Sequence, residues 1–277
     1  MNFLKIHNSR DLEEKSIKQV LIENRIYTNN YVKSKAIKLI VVFTALFLWV
    51  INRVYIIFNE KEEDKTLKCF RDNVQEVIFG KFTIFLSQNL IYRDLLVMFS
   101  SSILDVSLVS FFMIFIKQGN SWRPPLTLVL FYLFRGAVVQ NLILLQFPTI
   151  FIFNFPGFYS ISVNFERTPD FFYSGHCGCS LILTYYLRKF GYINFSNFGI
   201  FVCFMQSFTM LVTHAHYSID LIFGFLFAHY FIIQSGYLTK FLDEYLDIFG
   251  YNGKLNHGEH NKITISNEKY INLELRV

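Results

Sequence analysis

The sequence predicts an all-α, polytopic membrane protein, a bundle of six transmembrane helices with both termini cytoplasmic. Three observations lead there. Of 277 residues, 53% are hydrophobic and 19% aromatic but only 17% charged, against about 25% charged in an average soluble domain. The apolar residues form runs long enough to cross a bilayer core, which takes about 20 helical residues. Lysine and arginine gather on one side of those runs, as the positive-inside bias requires.

The formal net charge is +5, and eight lysines and arginines from Lys5 to Lys38 supply most of the excess. Beside a hydrophobic run such a segment is a cytoplasmic flank and not a nucleic-acid arm. The first apolar run starts near residue 36, too far in and too long for the core of a cleavable signal peptide. Of the four cysteines, Cys177, Cys179 and Cys203 sit in apolar segments, where a thiol behaves as a small hydrophobe. Three parts follow: a basic cytoplasmic segment at 1–35, a membrane catalytic domain at 36–237 and a polar cytoplasmic tail at 238–277.

The first span covers 36–58, with Arg53 placed to snorkel near its end. Residues 59–72 are strongly charged and form a solvated loop. Residues 73–95 are apolar but broken by Lys81, Gln88, Asn89 and Arg93, the pattern of an interfacial or amphipathic stretch. The second span is 96–116, and Pro124-Pro125 suits the first turn of the third, 125–147. Pro156-Gly157 marks a turn in the aromatic connection 148–170. Spans four to six are 171–187, 195–213 and 217–236. The loops at 117–123 and 188–194 then lie in the cytoplasm with Lys117, Arg123, Arg188 and Lys189, whereas the exoplasmic connection 148–170 holds Arg167 alone.

This order brings His176, His216 and Asp220 to one depth at the exoplasmic side. Ionisable groups inside membrane helices are costly, so their coincidence points to function and not to helix packing. His216 and Asp220 stand four apart, one helical turn. The carboxylate can accept from one imidazole nitrogen and turn the other toward substrate, the arrangement of an activated nucleophile. His176 is suited to protonate a leaving oxygen and to deprotonate an attacking one. Gly175 permits close backbone approach, which phosphate oxygens exploit. Ser174 has no local base and is not read as a nucleophile. His176, Cys177 and Cys179 lack the gap usual in zinc sites, so no metal is expected.

Asp170-Phe-Phe-Tyr-Ser174-Gly175-His176-Cys177 and His216-Tyr217-Ser218-Ile219-Asp220-Leu221 together resemble the paired motifs of the sphingomyelin synthase family, a branch of the phosphatidic-acid phosphatase type 2 superfamily. The segment FYLFRGAVVQNLILLQFP is similar to that family's third-span motif and puts Arg135 at its arginine. The likeness covers roughly residues 120–236. It departs where Thr168-Pro169 replaces Cys-Gly, where Cys177 replaces threonine, and in the absence of a proline-rich first motif near 73–95. The resemblance implies a phosphocholine or phosphoethanolamine transferase that needs no cofactor. His216 attacks a phosphatidylcholine or phosphatidylethanolamine donor, His176 protonates the departing diacylglycerol oxygen, and the histidine-linked intermediate passes to ceramide. It also implies substrate contacts at Asp170, Ser174, Gly175, Arg135 and Tyr217, and Golgi membranes, with the endoplasmic reticulum or plasma membrane as other sites. Membrane lipids are the partners, nucleic acid is not, and a homo-oligomer is compatible.

Two alternatives stay open for single residues. Arg135 is either a phosphate clamp or a partner of Asp105, and Asp170 is either headgroup-selecting or the N-cap of span four. The rival enzyme reading is a lipid phosphate phosphatase. Its basic motif is one residue short in Lys117…Arg123-Pro124, on the cytoplasmic side, and its second arginine position holds Met210. The non-enzymatic rival is a lipid-binding membrane protein.

Overall fold

A computed structural model describes residues 35–44, 47, 72–119, 121–141, 151–163, 165 and 172–246. The chain divides into two units: residues 41–241, and the two ends, whose described residues 35–40 and 242–246 are helical. Among the described residues all regular structure is helical. The principal helices are α1 (Asn73–Gln88), α2 (Leu90–Gln118), α3 (Arg123–Asn141), α4 (Gly175–Lys189), α5 (Ile193–Val212) and α6 (Ser218–Leu246).

The outer surface of this bundle is rich in apolar side chains, and polar ones share its interior with the apolar core. In α2, Ser100, Ser101 and Ser107 are buried while Phe99, Val106, Val109 and Met113 are exposed. In α5, Ser196, Gln206 and Thr209 are buried while Ile200, Phe201 and Phe204 face out. Such a surface suits hydrocarbon, because lipid solvates apolar side chains and leaves polar groups to bond one another inside. Among the described residues three helices are long and apolar enough to cross a membrane: Leu90–Gln118, Ile193–Val212 and Ser218–Thr239. They correspond to the expected spans two, five and six.

The inner polar groups tie the helices together. Gln206 Nε2 donates to the Ser100 carbonyl at 2.7 Å, linking α5 to α2, and Ser196 Oγ donates to the Thr184 carbonyl at 3.2 Å, linking α5 to α4. Phe111, Phe115, Phe131, Ile182, Leu183 and Leu187 fill the space between them. At the end where α3 begins, the hydroxyls of Thr127, Tyr186 and Ser235 meet, with Thr127 Oγ1 at 2.6 Å from Tyr186 and 2.7 Å from Ser235.

Residues 73–95 divide at Asn89. Residues 90–95 belong to α2, whereas 73–88 form α1, whose placement two hydrogen bonds define. Gln75 Nε2 donates to the Leu211 carbonyl at 2.7 Å and Thr83 Oγ1 to the Val212 carbonyl at 2.9 Å. These residues are two turns apart on α1, about 12 Å, yet they reach neighbouring carbonyls. Helix α1 therefore crosses the C-terminal end of α5 instead of running alongside it. Its outer face is apolar, with Val77, Ile78, Phe82 and Phe85 exposed.

Candidate catalytic site at the meeting of three helix N-termini

The segment entering α4 and the segment entering α6 are joined by one backbone bond: Ser174 N–H donates to the Asp220 carbonyl at 2.9 Å. Below that link the two helices cross at glycines, each one turn further on. A Cβ on Gly224 would stand 2.6 Å from the Ser174 carbonyl oxygen and 3.3 Å from its nitrogen. A Cβ on Gly178 would collide with the Phe131 ring and lie 2.9 Å from the Gly224 carbonyl oxygen. Only hydrogen side chains allow this approach, and the approach brings the histidines together. The His176 and His216 rings lie with centroids 6.1 Å apart at 63°. His216 is buried, 3% exposed, and His176 is partly open. The Phe153 ring packs edge-on to His176 at 6.4 Å.

Asp220 sits in the first turn of α6, not one full helical turn from a helical His216. Its Oδ2 accepts from Tyr217 N–H at 3.1 Å, half of a capping box, so the helix begins at Ser218 and His216 belongs to the turn 213–217. The same oxygen is 3.5 Å from His216 Nδ1. Asp220 thus stands on the Nδ1 side of the imidazole, and Nε2 is directed away from it. The two groups are adjacent, but a cap and not a helix face places them so.

Ser174 is the N-cap of α4, its Oγ accepting from Cys177 N–H at 3.4 Å. The reading of Asp170 as that cap is corrected, because α4 starts at Gly175 and span four starts later than 171. Asp170 itself lies outside the described residues. Gly175 is flanked by Arg135: Nε would be 3.2 Å from a Cβ there, and it donates to the Tyr173 carbonyl at 3.3 Å. The guanidinium therefore rests against the Ser-Gly-His turn. Asp105 is engaged elsewhere, accepting from Ser160 Oγ at 3.0 Å, Ile161 N–H at 2.9 Å and Ser162 N–H at 2.8 Å. That segment connects back to Phe153. Tyr217 is buried beside Phe151, and the Cys177 thiol faces Ser207 of α5 at 3.5 Å.

The phosphatase-type basics fall elsewhere. Arg123 donates to the Ile232 carbonyl at 2.8 Å, twelve residues along α6 from Asp220, or about 18 Å. Met210 is buried in the core, and its carbonyl accepts from Ala215 N–H at 3.0 Å.

Sequence reasoning missed Asp72 and Gln75. Asp72 Oδ1 accepts from Gln75 N–H at 3.1 Å, capping α1, while Oδ2 accepts from Ser218 N–H at 2.6 Å, capping α6. One carboxylate thus serves two helix N-termini, beside the N-terminus of α4, and Gln75 reaches the His216 carbonyl at 3.2 Å. Burial raises the Asp72 pKa, but hydrogen bonds from Ser218, Gln75 and Val74 outweigh it and hold the carboxyl below its ordinary value. A depressed carboxyl contributes stability that is fully present above the unfolded value of 3.8 and lost as the pH falls through the folded one. The legible signal was Asp72-Asn-Val-Gln75, the cap-plus-three spacing before an apolar run. Gly178 and Gly224 were legible as small residues four after Ser174 and Asp220.

His214 is a second buried histidine of the same turn, 6% exposed, with a left-handed φ of 54°. Burial lowers its pKa, partly offset by the charges of Glu76 and Asp72. The folded state therefore binds this proton less readily than the unfolded chain, so stability falls as the pH drops below the unfolded value of 6.5. His214→Asn keeps a side chain tolerant of left-handed backbone and removes the titration. Thermal midpoints across pH 5–7 should decline less steeply in the variant than in the wild type, and parallel curves would contradict this assignment.

No family model, curated protein or solved structure matches the chain.

Proposed function

We propose that the chain is a six-span lipid headgroup phosphotransferase. It moves phosphocholine or phosphoethanolamine from a glycerophospholipid to ceramide through a histidine-linked intermediate, on the exoplasmic side of a Golgi-type membrane with both termini cytoplasmic. The observation that carries the reading is the His216–Asp220 pair, 3.5 Å apart, facing His176 at 6.1 Å where α4 and α6 begin. The likeness of both motifs to sphingomyelin synthases supports the lipid pair.

In the first step His216 Nε2 attacks the donor phosphorus. The P–N bond forms, the bond to the diacylglycerol oxygen breaks, and His176 delivers a proton to that oxygen. In the second step His176 takes the proton of the ceramide primary hydroxyl, whose oxygen attacks the phosphorus and displaces His216. Microscopic reversibility gives both proton transfers to the same residue. Asp220 balances the charge on His216 while nitrogen is bonded to phosphorus. Backbone N–H groups opening α4 and the Arg135 guanidinium supply positive potential to the phosphoryl oxygens. The aromatic surroundings keep water away from the intermediate.

A transferred diester carries one negative charge, whereas a monoester carries up to about two. Among the described residues the phosphatase motif positions hold Met210, which is uncharged, and Arg123, which is distant, and this favours the diester. The test supplies membranes holding the chain with labelled ceramide and phosphatidylcholine or phosphatidylethanolamine, and in parallel with phosphatidic acid. Labelled sphingophospholipid with little inorganic phosphate is expected. Phosphate release without headgroup transfer would sink the proposal. Arg135→Gln should lower kcat/KM roughly 10- to 100-fold, the worth of one charge-assisted bond, and an unchanged rate would remove Arg135 from the site.

A further inference from the structure

The turn that presents His216 is held from two sides, by the end of α5 and by α1. Between α5 and α6 its backbone bonds run back to the last turn of α5: Thr213 N–H to Thr209 at 3.0 Å, His214 N–H to Leu211 at 3.3 Å, Ala215 N–H to Met210 at 3.0 Å and His216 N–H to Met210 at 3.5 Å, the longest of them. His214 within it adopts a left-handed φ of 54°, a conformation that costs a non-glycine residue about 1 kcal/mol or more. The end of α5 also leaves carbonyls with no helical partner.

One turn of α1 meets these needs. Gln75 is 1% exposed, and its Nε2 donates both to Leu211 at 2.7 Å, before the turn, and to His216 itself at 3.2 Å. Asp72 holds the far side of the turn through Ser218 N–H at 2.6 Å and fixes Gln75 through its backbone at 3.1 Å. Residues 211, 216 and 218 are thereby referred to one rigid element that contributes no group to the chemistry.

We propose that Asp72 and Gln75 are positioning residues for His216, and that α1 is a strap across the end of α5 that sets the imidazole relative to Asp220 and His176. The inference rests on the reading of His216 as the nucleophile. It deepens that reading by extending the site to a segment outside both histidine motifs. A strap acts on the geometry of attack and not on capture of the lipid. Its loss therefore lowers kcat and leaves KM nearly unchanged, and it frees a histidine that is otherwise shielded.

The test uses the full chain in lipid nanodiscs, as wild type, Asp72→Asn, Gln75→Leu and Lys81→Ala. Lys81 is an exposed position of α1 outside the contacts. Asparagine retains one acceptor where two are needed, and leucine keeps the volume of Gln75 without its donors. Headgroup transfer gives kcat and KM. Without substrate, the rate of His216 acylation by diethylpyrocarbonate is read by peptide mass spectrometry against His229, which is exposed on α6. Asp72→Asn and Gln75→Leu should each lower kcat about 10- to 100-fold, the scale of a misplacement near 1 Å. KM should stay within about twofold, and His216 acylation should quicken at least threefold relative to His229. Lys81→Ala should match the wild type in both. Wild-type acylation rates in both positioning variants would overturn the proposal. So would activity losses accounted for by loss of folded protein in thermal melts. If the wild type transfers no headgroup, the proposed reaction fails, and the acylation arm still decides whether α1 holds His216.

Discussion

His216→Ala should reduce headgroup transfer by about 10⁴-fold or more, the scale seen when a covalent nucleophile is removed. The imidazole is almost wholly enclosed, 3% exposed. His176→Ala should approach the same loss, because both half-reactions pass a proton through that ring. Asp220→Asn should be as severe as either, since the amide removes the charge facing Nδ1 and disturbs the cap on Tyr217 N–H, 3.1 Å away. The protein should remain assembled in all three, since the helix contacts hold the bundle independently of the reacting nitrogens. The measurement is transfer of labelled headgroup in membranes normalised to folded protein. Retention of more than a hundredth of wild-type activity by His216→Ala would exclude the covalent route. A non-enzymatic lipid binder would keep its binding in that variant.

Gly224→Ala should be nearly as damaging from a position that touches no substrate. Its new Cβ would stand 2.6 Å from the Ser174 carbonyl oxygen, and the obstacle is backbone and cannot rotate aside. Relief requires α6 to move from the Ser-Gly-His turn, stretching the 2.9 Å bond from Ser174 N–H to the Asp220 carbonyl. Overpacking of this kind costs about 1–3 kcal/mol, and the displacement of His176 from His216 should lower kcat about 100-fold. Gly80→Ala on α1 is the control, because nothing lies within 4 Å of its Cβ. It should melt no lower than the wild type, since alanine favours helix over glycine. Equal activity in the two variants would refute the account of the crossing.

Helices α2, α5 and α6 were legible because their apolar runs exceed what a soluble core helix needs, and they answer to spans two, five and six. Their boundaries were less so. α6 begins at Ser218 because Asp220 reaches back to Tyr217, and α4 begins at Gly175 because Ser174 supplies the cap; hydropathy registers neither. The pairing of the two histidine motifs was legible from topology, but its means was not. Gly178 and Gly224 carry no polarity to attract notice, and Gln75 was not singled out among the polar residues of 73–95. A polar residue on a membrane helix reads as a break until the carbonyls it satisfies are known. Asp105 was weighed against Arg135, a charge partner, whereas neutral donors at residues 160–162 engage it.

The bond between Ser174 N–H and the Asp220 carbonyl also bears on biosynthesis. Translation delivers the first histidine motif well before the second, and α6 follows the other helices described. Until α6 enters the bilayer beside α4, His176 has no facing imidazole and Ser174 N–H has no Asp220 carbonyl to reach. The two histidines therefore meet only when α6 docks, and the proposed activity would arrive in that one step.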